Sequence, residues 1–222
     1  MNKKLLAAMV LGAAGLAWAA PQAKADVISI GLQEAGTNGG AITTQTTGSG
    51  DVGVIGVDYG TFNINNVSGE DSVDLGLPGV LDSNSINTSS SGSGTLTVYI
   101  TAQGLTGVSG LAALTSTFTA NSLTNGWTVT EETLYSSSDA LYSGTLVDSA
   151  SFSTIGTNIE SGNVDFTSPF SVTEIFTITA DGSGTANDTI DTSVPEPGSL
   201  ALLGTGLFAL GMIGWTRRRR GV

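Results

Sequence analysis

Gly94-Thr95-Leu96-Thr97-Val98-Tyr99-Ile100-Thr101 decides the fold of this chain. Leu96, Val98 and Ile100 alternate with Thr95, Thr97, Tyr99 and Thr101, so an extended backbone puts one set in a core and the other in water. β-Branched Val, Ile and Thr suit a pleated sheet. The same period of two recurs outward in both directions. It appears at Ile28, Ile30 and Leu32; at Val52 and Val54; and, after a register break, at Val57, Tyr59, Phe62 and Ile64. It returns at Ser116, Phe118 and Ala120, at Trp127 and Val129, and at Val172, Glu174, Phe176 and Ile178 against Thr173, Ile175, Thr177 and Thr179. The spacers are turn material: Gly36 to Gly40, Ser89 to Gly94, Asn125-Gly126 and Asp181 to Gly184. Many short strands with such turns predict an all-β domain, an antiparallel β-sandwich of jelly-roll-like form. The nearest thing to a helix in the body is Gly104 to Leu114, whose three glycines argue against one. Ser89 to Gly94 reads as a linker or as a hairpin loop into the best strand. Asn187 to Ser193 reads as the domain's end passing into a spacer, with Thr189-Ile190 closing a last strand.

Both ends of the chain differ from this body. Lys3-Lys4, the apolar run Leu5 to Trp18, the helix breaker Pro21 and the small-residue site Ala23-Lys24-Ala25 have the order of a secretory signal peptide over 1–25. That predicts an N-terminal signal helix, export by the secretion machinery and cleavage by signal peptidase after Ala25. At the other end stands Val194-Pro195-Glu196-Pro197-Gly198-Ser199, then the uncharged run Leu200 to Trp215, then Arg217, Arg218, Arg219 and Arg220. The two prolines keep their neighbourhood extended and solvent-facing. A helix from Leu200 to Trp215 rises roughly 24 Å against a hydrocarbon core of ~30 Å, so it spans with Ser199, Thr216 and snorkelling arginines filling the ends. The expectation is a transmembrane helix over 200–216, oriented by an arginine cluster that stays cytoplasmic. Three segments follow: signal peptide 1–25, acidic body 26–193 and C-terminal signal 194–222.

Charge divides the chain the same way. All seven basic residues, Lys3, Lys4, Lys24 and Arg217 to Arg220, lie in the two ends, and all nineteen acidic residues lie between Asp26 and Glu196. Removing the seven positive charges takes the formal net charge from −12 to −19. A surface of one sign repels phosphate backbones and phosphorylated substrates, so nucleic acid is not a partner. With no cysteine or histidine in the chain, Cys-His and Ser-His-Asp catalysis, disulfides and the usual ligands of zinc, copper and iron are excluded.

Carboxylates, hydroxyls and a few aromatics are left to carry chemistry. Hard oxygen ligands could serve Ca2+, with two candidate sets: Glu70-Asp71 with Asp74, and Asp181 with Asn187, Asp188 and Asp191. Asp82-Ser83-Asn84-Ser85-Ile86 starts like a calcium loop but puts Ile86 where an oxygen belongs. The plainer expectation for acidic residues on an exported surface is solvation. Glu131-Glu132 fail as a catalytic pair, because neighbours in a strand point to opposite faces, and the body is read as non-enzymatic. Trp127 is a candidate for stacking on a sugar ring; beside Asn125-Gly126 and ahead of Val129, it reads first as a core residue. Asn66, Asn87 and Asn187 each open a minimal glycosylation triplet, which a chain rich in Asn, Ser and Thr produces by composition.

The order of Val194 to Ser199, the glycine-bearing apolar run and the terminal arginines closely resembles the PEP-CTERM sorting signal of exported proteins in Gram-negative bacteria, over 194–222. The resemblance implies transient anchoring in the inner membrane and processing near Pro195 to Pro197 by an exosortase. It also implies a destination at the cell surface or in an extracellular matrix, with exopolysaccharide, biofilm or floc as its setting. A structural protein of that matrix is the expectation, and a carbohydrate-binding module is the alternative.

Overall fold

Alternation along the chain becomes twelve strands in the computed structural model, which describes residues 27–70, 79–106 and 108–195. The signal peptide with Ala23 and Ala25, the carboxylates Asp71 and Asp74, and the C-terminal signal from Glu196 and Pro197 through Arg217, Arg218, Arg219 and Arg220 lie outside the described residues. The strands are β1 (Val27–Glu34), β2 (Thr43–Gly48), β3 (Val52–Tyr59), β4 (Phe62–Glu70), β5 (Gly79–Ser90) and β6 (Gly94–Leu105). They continue with β7 (Gly110–Leu123), β8 (Thr128–Ser136), β9 (Thr145–Phe152), β10 (Gly156–Phe166), β11 (Phe170–Ala180) and β12 (Gly184–Ser193). A one-turn 3-10 segment, Asn38–Gly40, joins β1 to β2.

The strands form two six-stranded antiparallel sheets, in the orders β2-β1-β6-β11-β8-β9 and β10-β7-β12-β5-β4-β3. From β5 onward the pairing is nested. β8 pairs with β9, β7 with β10, β6 with β11 and β5 with β12, and successive pairs fall in alternate sheets. The sheets face one another across a common core. Ile28, Ile30, Leu32, Leu96, Val98, Ile100, Phe176 and Ile178 from the first sheet meet Ile64, Val67, Ile86, Phe118 and Ile190 from the second, and all are fully buried. Tyr59 closes the edge by donating from its hydroxyl to the Leu32 carbonyl at 2.9 Å.

Each end of the interior is stopped by aromatics. Trp127 packs edge-on against Phe62, with centroids 6.2 Å apart. At the far end of β8, Tyr135 meets Phe166 and Phe170 at 5.3 and 5.6 Å. The register break before Val57 falls at Gly56 within β3, and β3 passes into β4 through a tight turn at Gly60-Thr61. Here Gly60 takes φ 61°, and the Thr61 amide and hydroxyl both donate to the buried Glu34 carboxylate on the other sheet.

Two expectations are corrected. Ser89 to Gly94 is neither a linker nor a hairpin loop, because β5 and β6 belong to opposite sheets and the turn between them crosses from one to the other. Asn187 to Ser193 is no spacer: it is most of β12, an inner strand held between β7 and β5.

Gly60→Ala is expected to cost about 2 kcal/mol or more. The positive φ disfavours any side chain there, and a Cβ would run into the Glu34 carboxylate that holds the turn. Urea unfolding of the variant against the parent measures it.

Candidate functional site

β8 carries the most informative side chains because its alternation is strict. Trp127, Val129, Glu131, Thr133 and Tyr135 all turn inward, while Glu132 lies half-buried on the outer face. The Glu131-Glu132 neighbours therefore part as the pleat requires. Glu131 enters the interior with no cation to meet it, and other carboxyls join it there. Glu174 of β11 and Asp188 of β12 are 0% exposed, and Asp148 of β9 is nearly so.

Hydroxyl groups from the facing sheet answer two of these four acids. Thr192 of β12 donates to Glu174 Oε1 at 2.8 Å and Ser83 of β5 donates to Glu174 Oε2. Ser116 of β7 donates to Asp148 Oδ2 at 3.0 Å and lies 2.9 Å from the hydroxyl of Thr133. Glu131 and Asp188 have no well-formed hydrogen bond to either carboxyl oxygen among the described residues. The Thr119 backbone amide offsets a little of the cost of charge on Glu131 without forming a full hydrogen bond to it.

Burial dominates the electrostatics of the seam. It pushes the Glu131 carboxyl from 4.5 to about 9, with the charge of Asp188 adding to the rise. It lifts Asp188 from 3.8 to about 7. Glu174 is driven well up by its complete burial, against the bonds from Ser83 and Thr192 and with help from Asp82 and Asp191. Asp148 rises from burial and from Glu160, less the bond from Ser116. These groups are thus weak acids held inside a domain that has no base.

The outer face of the second sheet carries two polar rows. Asn66, Asn87 and Asn187 stand side by side across β4, β5 and β12, so the three glycosylation triplets form one in-register asparagine ladder. Along the same strands Glu70, Asp82 and Asp191 form an acidic row, again as register partners. Asp82, in the middle, is raised from 3.8 to about 6 by partial burial, then by Asp191 and Glu70.

The remaining expected site residues are placed as follows. Trp127 is 1% exposed and offers no ring face to a sugar; the core alternative holds and the stacking role is withdrawn. Asp181, Asp188 and Asp191 do not converge as the calcium reading required. Asp181 is exposed in the β11–β12 turn, Asp188 points inward, and Asp191 lies on the outer face of the same strand. No group of three or more carboxylates is arranged to hold a metal among the described residues. Val194 is buried just past the end of β12, and Pro195 follows it in the open. Of the body's tyrosines, which with Trp127 are its candidate sugar-stacking rings, Tyr99 and Tyr142 lie half-buried on the outer face of the first sheet with centroids 5.7 Å apart. Their hydroxyls reach Gln33 Oε1 at 2.6 Å and Thr44 Oγ1 at 3.1 Å.

No protein-family model matches this chain, and no curated protein matches it.

Trp127→Ala is expected to cost about 3–5 kcal/mol, the usual range for deleting a buried large aromatic, as measured by urea unfolding. Asp82→Asn is expected to raise the melting temperature at pH 7 and leave it unchanged at pH 3. In the unfolded chain Asp82 ionises near 3.8 and in the folded one near 6, so its ionisation opposes folding only above that window's lower edge. Thermal scans at the two pH values measure the difference.

Proposed function

We propose that this chain is an exported structural protein of the cell surface or extracellular matrix, delivered through a C-terminal PEP-CTERM signal that an exosortase processes. The observation that carries the proposal is the partition of the chain: every cation sits in the two ends, each beside an apolar run, and the Pro195-Glu196-Pro197 tag stands where the acidic body gives way to the apolar tail. The exposed Pro195, two residues past the last strand, supports access to the tag.

For the body, the supporting features are passive ones. Hydroxyl pairs bridge neighbouring strands on the outer faces: Thr95 with Thr179, Thr119 with Thr157, Thr130 with Ser151, and Thr115 with Ser161, at 3.0–3.3 Å. Together with the asparagine ladder they make a hydrated, anionic surface suited to a polysaccharide setting rather than to a phosphate-bearing partner. The jelly-roll form of the sandwich is supported by the nested pairing of β5 to β12, in which each successive pair changes sheet. The second reading, a carbohydrate-binding module, now rests on Tyr99 and Tyr142 rather than on Trp127.

Mass spectrometry of the protein recovered from its host tests the delivery route. The expected mature form begins near Asp26 and ends near Glu196, without Arg217 to Arg220. A recovered protein that keeps its arginine tail overturns processing and leaves a permanent single-pass anchor.

A further inference from the structure

Glu131 points into the core from one sheet and Asp188 from the other, near enough for the charge of Asp188 to act on Glu131. β8 lies between β11 and β9 in the first sheet, and β12 lies between β7 and β5 in the second. Both carboxyls are 0% exposed, and neither has a properly formed hydrogen bond among the described residues. Two ionised carboxylates buried on facing sheets repel strongly in a low-dielectric interior. The sequence offers no remedy from within, since residues 25–216 contain no lysine, arginine or histidine. The remaining internal way to hold the two groups together is a proton on one of them, donated to the oxygen of the other.

The other acids around the pair strengthen this requirement. Glu131 pairs in register with Phe176 of β11 and Ala150 of β9. Glu174 and Asp148 stand one inward position further along those strands, both opposite Thr133. Asp188 is flanked in register by Ala120 of β7 and Ile86 of β5. Beyond them, Asp82 and Asp191 act on Glu174 through the second sheet, and Glu160 acts on Asp148. Every charged neighbour has the same sign, so each ionisation makes the next harder.

We propose that Glu131 and Asp188 form a proton-held clasp between the two sheets, closed in acidic and neutral solution and sprung under alkaline conditions, which makes the body an acid-stable, base-labile fold. The direction is the reverse of ordinary acid unfolding. Glu131 and Asp188 ionise in the unfolded chain near 4.5 and 3.8, but in the folded chain only near 9 and 7. Below about pH 4 both states are protonated and the clasp is fully stabilising. From about pH 4 upward the unfolded state holds fewer protons than the folded one, so stability falls until the folded groups have themselves ionised, near 7 for Asp188 and near 9 for Glu131.

Thermal unfolding of the full-length chain between pH 5 and pH 9.5 tests the clasp, with Glu131→Gln, Asp188→Asn and the surface control Asp51→Asn alongside. The parent and the control are expected to lose ~10 °C or more in melting temperature over this range, and each clasp variant at most half as much. Infrared spectra of the parent, which need no variant to fold, are expected to show buried protonated carboxyl groups at pH 7 that disappear with the fold on alkalinisation. A parent melting temperature that is flat or rises with pH overturns the proposal, as do clasp variants with the parent's slope or a spectrum without protonated carboxyls. Each sample is repeated with 1 mM Ca2+ and with chelator at pH 8.5. Restoration of the parent by Ca2+, but not of Glu131→Gln, would show a cation between the carboxylates in place of the proton and likewise overturn the clasp.

Discussion

Between its two ends this chain has no base, and the rest of the structure depends on that constraint. A stretch with nineteen acids from Asp26 to Glu196 and no Lys, Arg or His cannot pair a side-chain carboxylate of its own with a cation of its own, on the surface or inside. Hydrogen bonds from hydroxyls and amides take over the work. Glu34 is held by the Thr61 amide and hydroxyl, Glu174 by Ser83 and Thr192, and Asp148 by Ser116. On the outer faces, Thr-Thr and Thr-Ser pairs bridge adjacent strands where charged pairs would be common in other sheets. The abundance of Ser and Thr is thus part of how the sheets cohere.

The nested pairing explains why the acids end up in the interior together. Because each successive pair of the β5–β12 ribbon changes sheet, the inner strands β11, β8, β12 and β7 face one another across the core. Glu174, Glu131, Asp188 and Ser116 belong to those four strands. Aliphatic rows and two aromatic stops enclose them, with Trp127 and Phe62 at one end and Tyr135, Phe166 and Phe170 at the other. The low dielectric that makes an unpaired carboxylate costly also strengthens each hydroxyl bond to a paired one. The same packing that stabilises the sheets raises the affinity of the acids for protons.

Strands with a purely aliphatic inner set were legible in the sequence. Ile28, Ile30 and Leu32 of β1 and Leu96, Val98 and Ile100 of β6 read as core and are core. Even β11 was legible with Glu174 among its inner positions, because Val172, Phe176 and Ile178 outweigh it. β12 was legible only at Thr189-Ile190, read as closing a last strand, since its inner set is Ala186, Asp188, Ile190 and Thr192, two of them polar. β5 hid for the same reason behind Ser83, Thr88 and Ser90, and β10 shows mostly exposed positions at a sheet edge. The parting of Glu131 from Glu132 was readable from the period alone. That Glu131 and Asp188 would enter the same core from opposite sheets was not, because that depends on which strands come to face each other.

Formal charge therefore overstates what the folded body carries. With Glu131, Glu174 and Asp148 raised by burial and Asp188 near 7, folding takes up protons that the unfolded chain has released. That uptake lowers the self-repulsion which a net charge of −19 would otherwise set against compaction. It also ties the fold to pH, because each proton stripped from these buried groups restores a charge that the core cannot pair with a cation, a coupling that a domain with ordinary salt bridges would not possess.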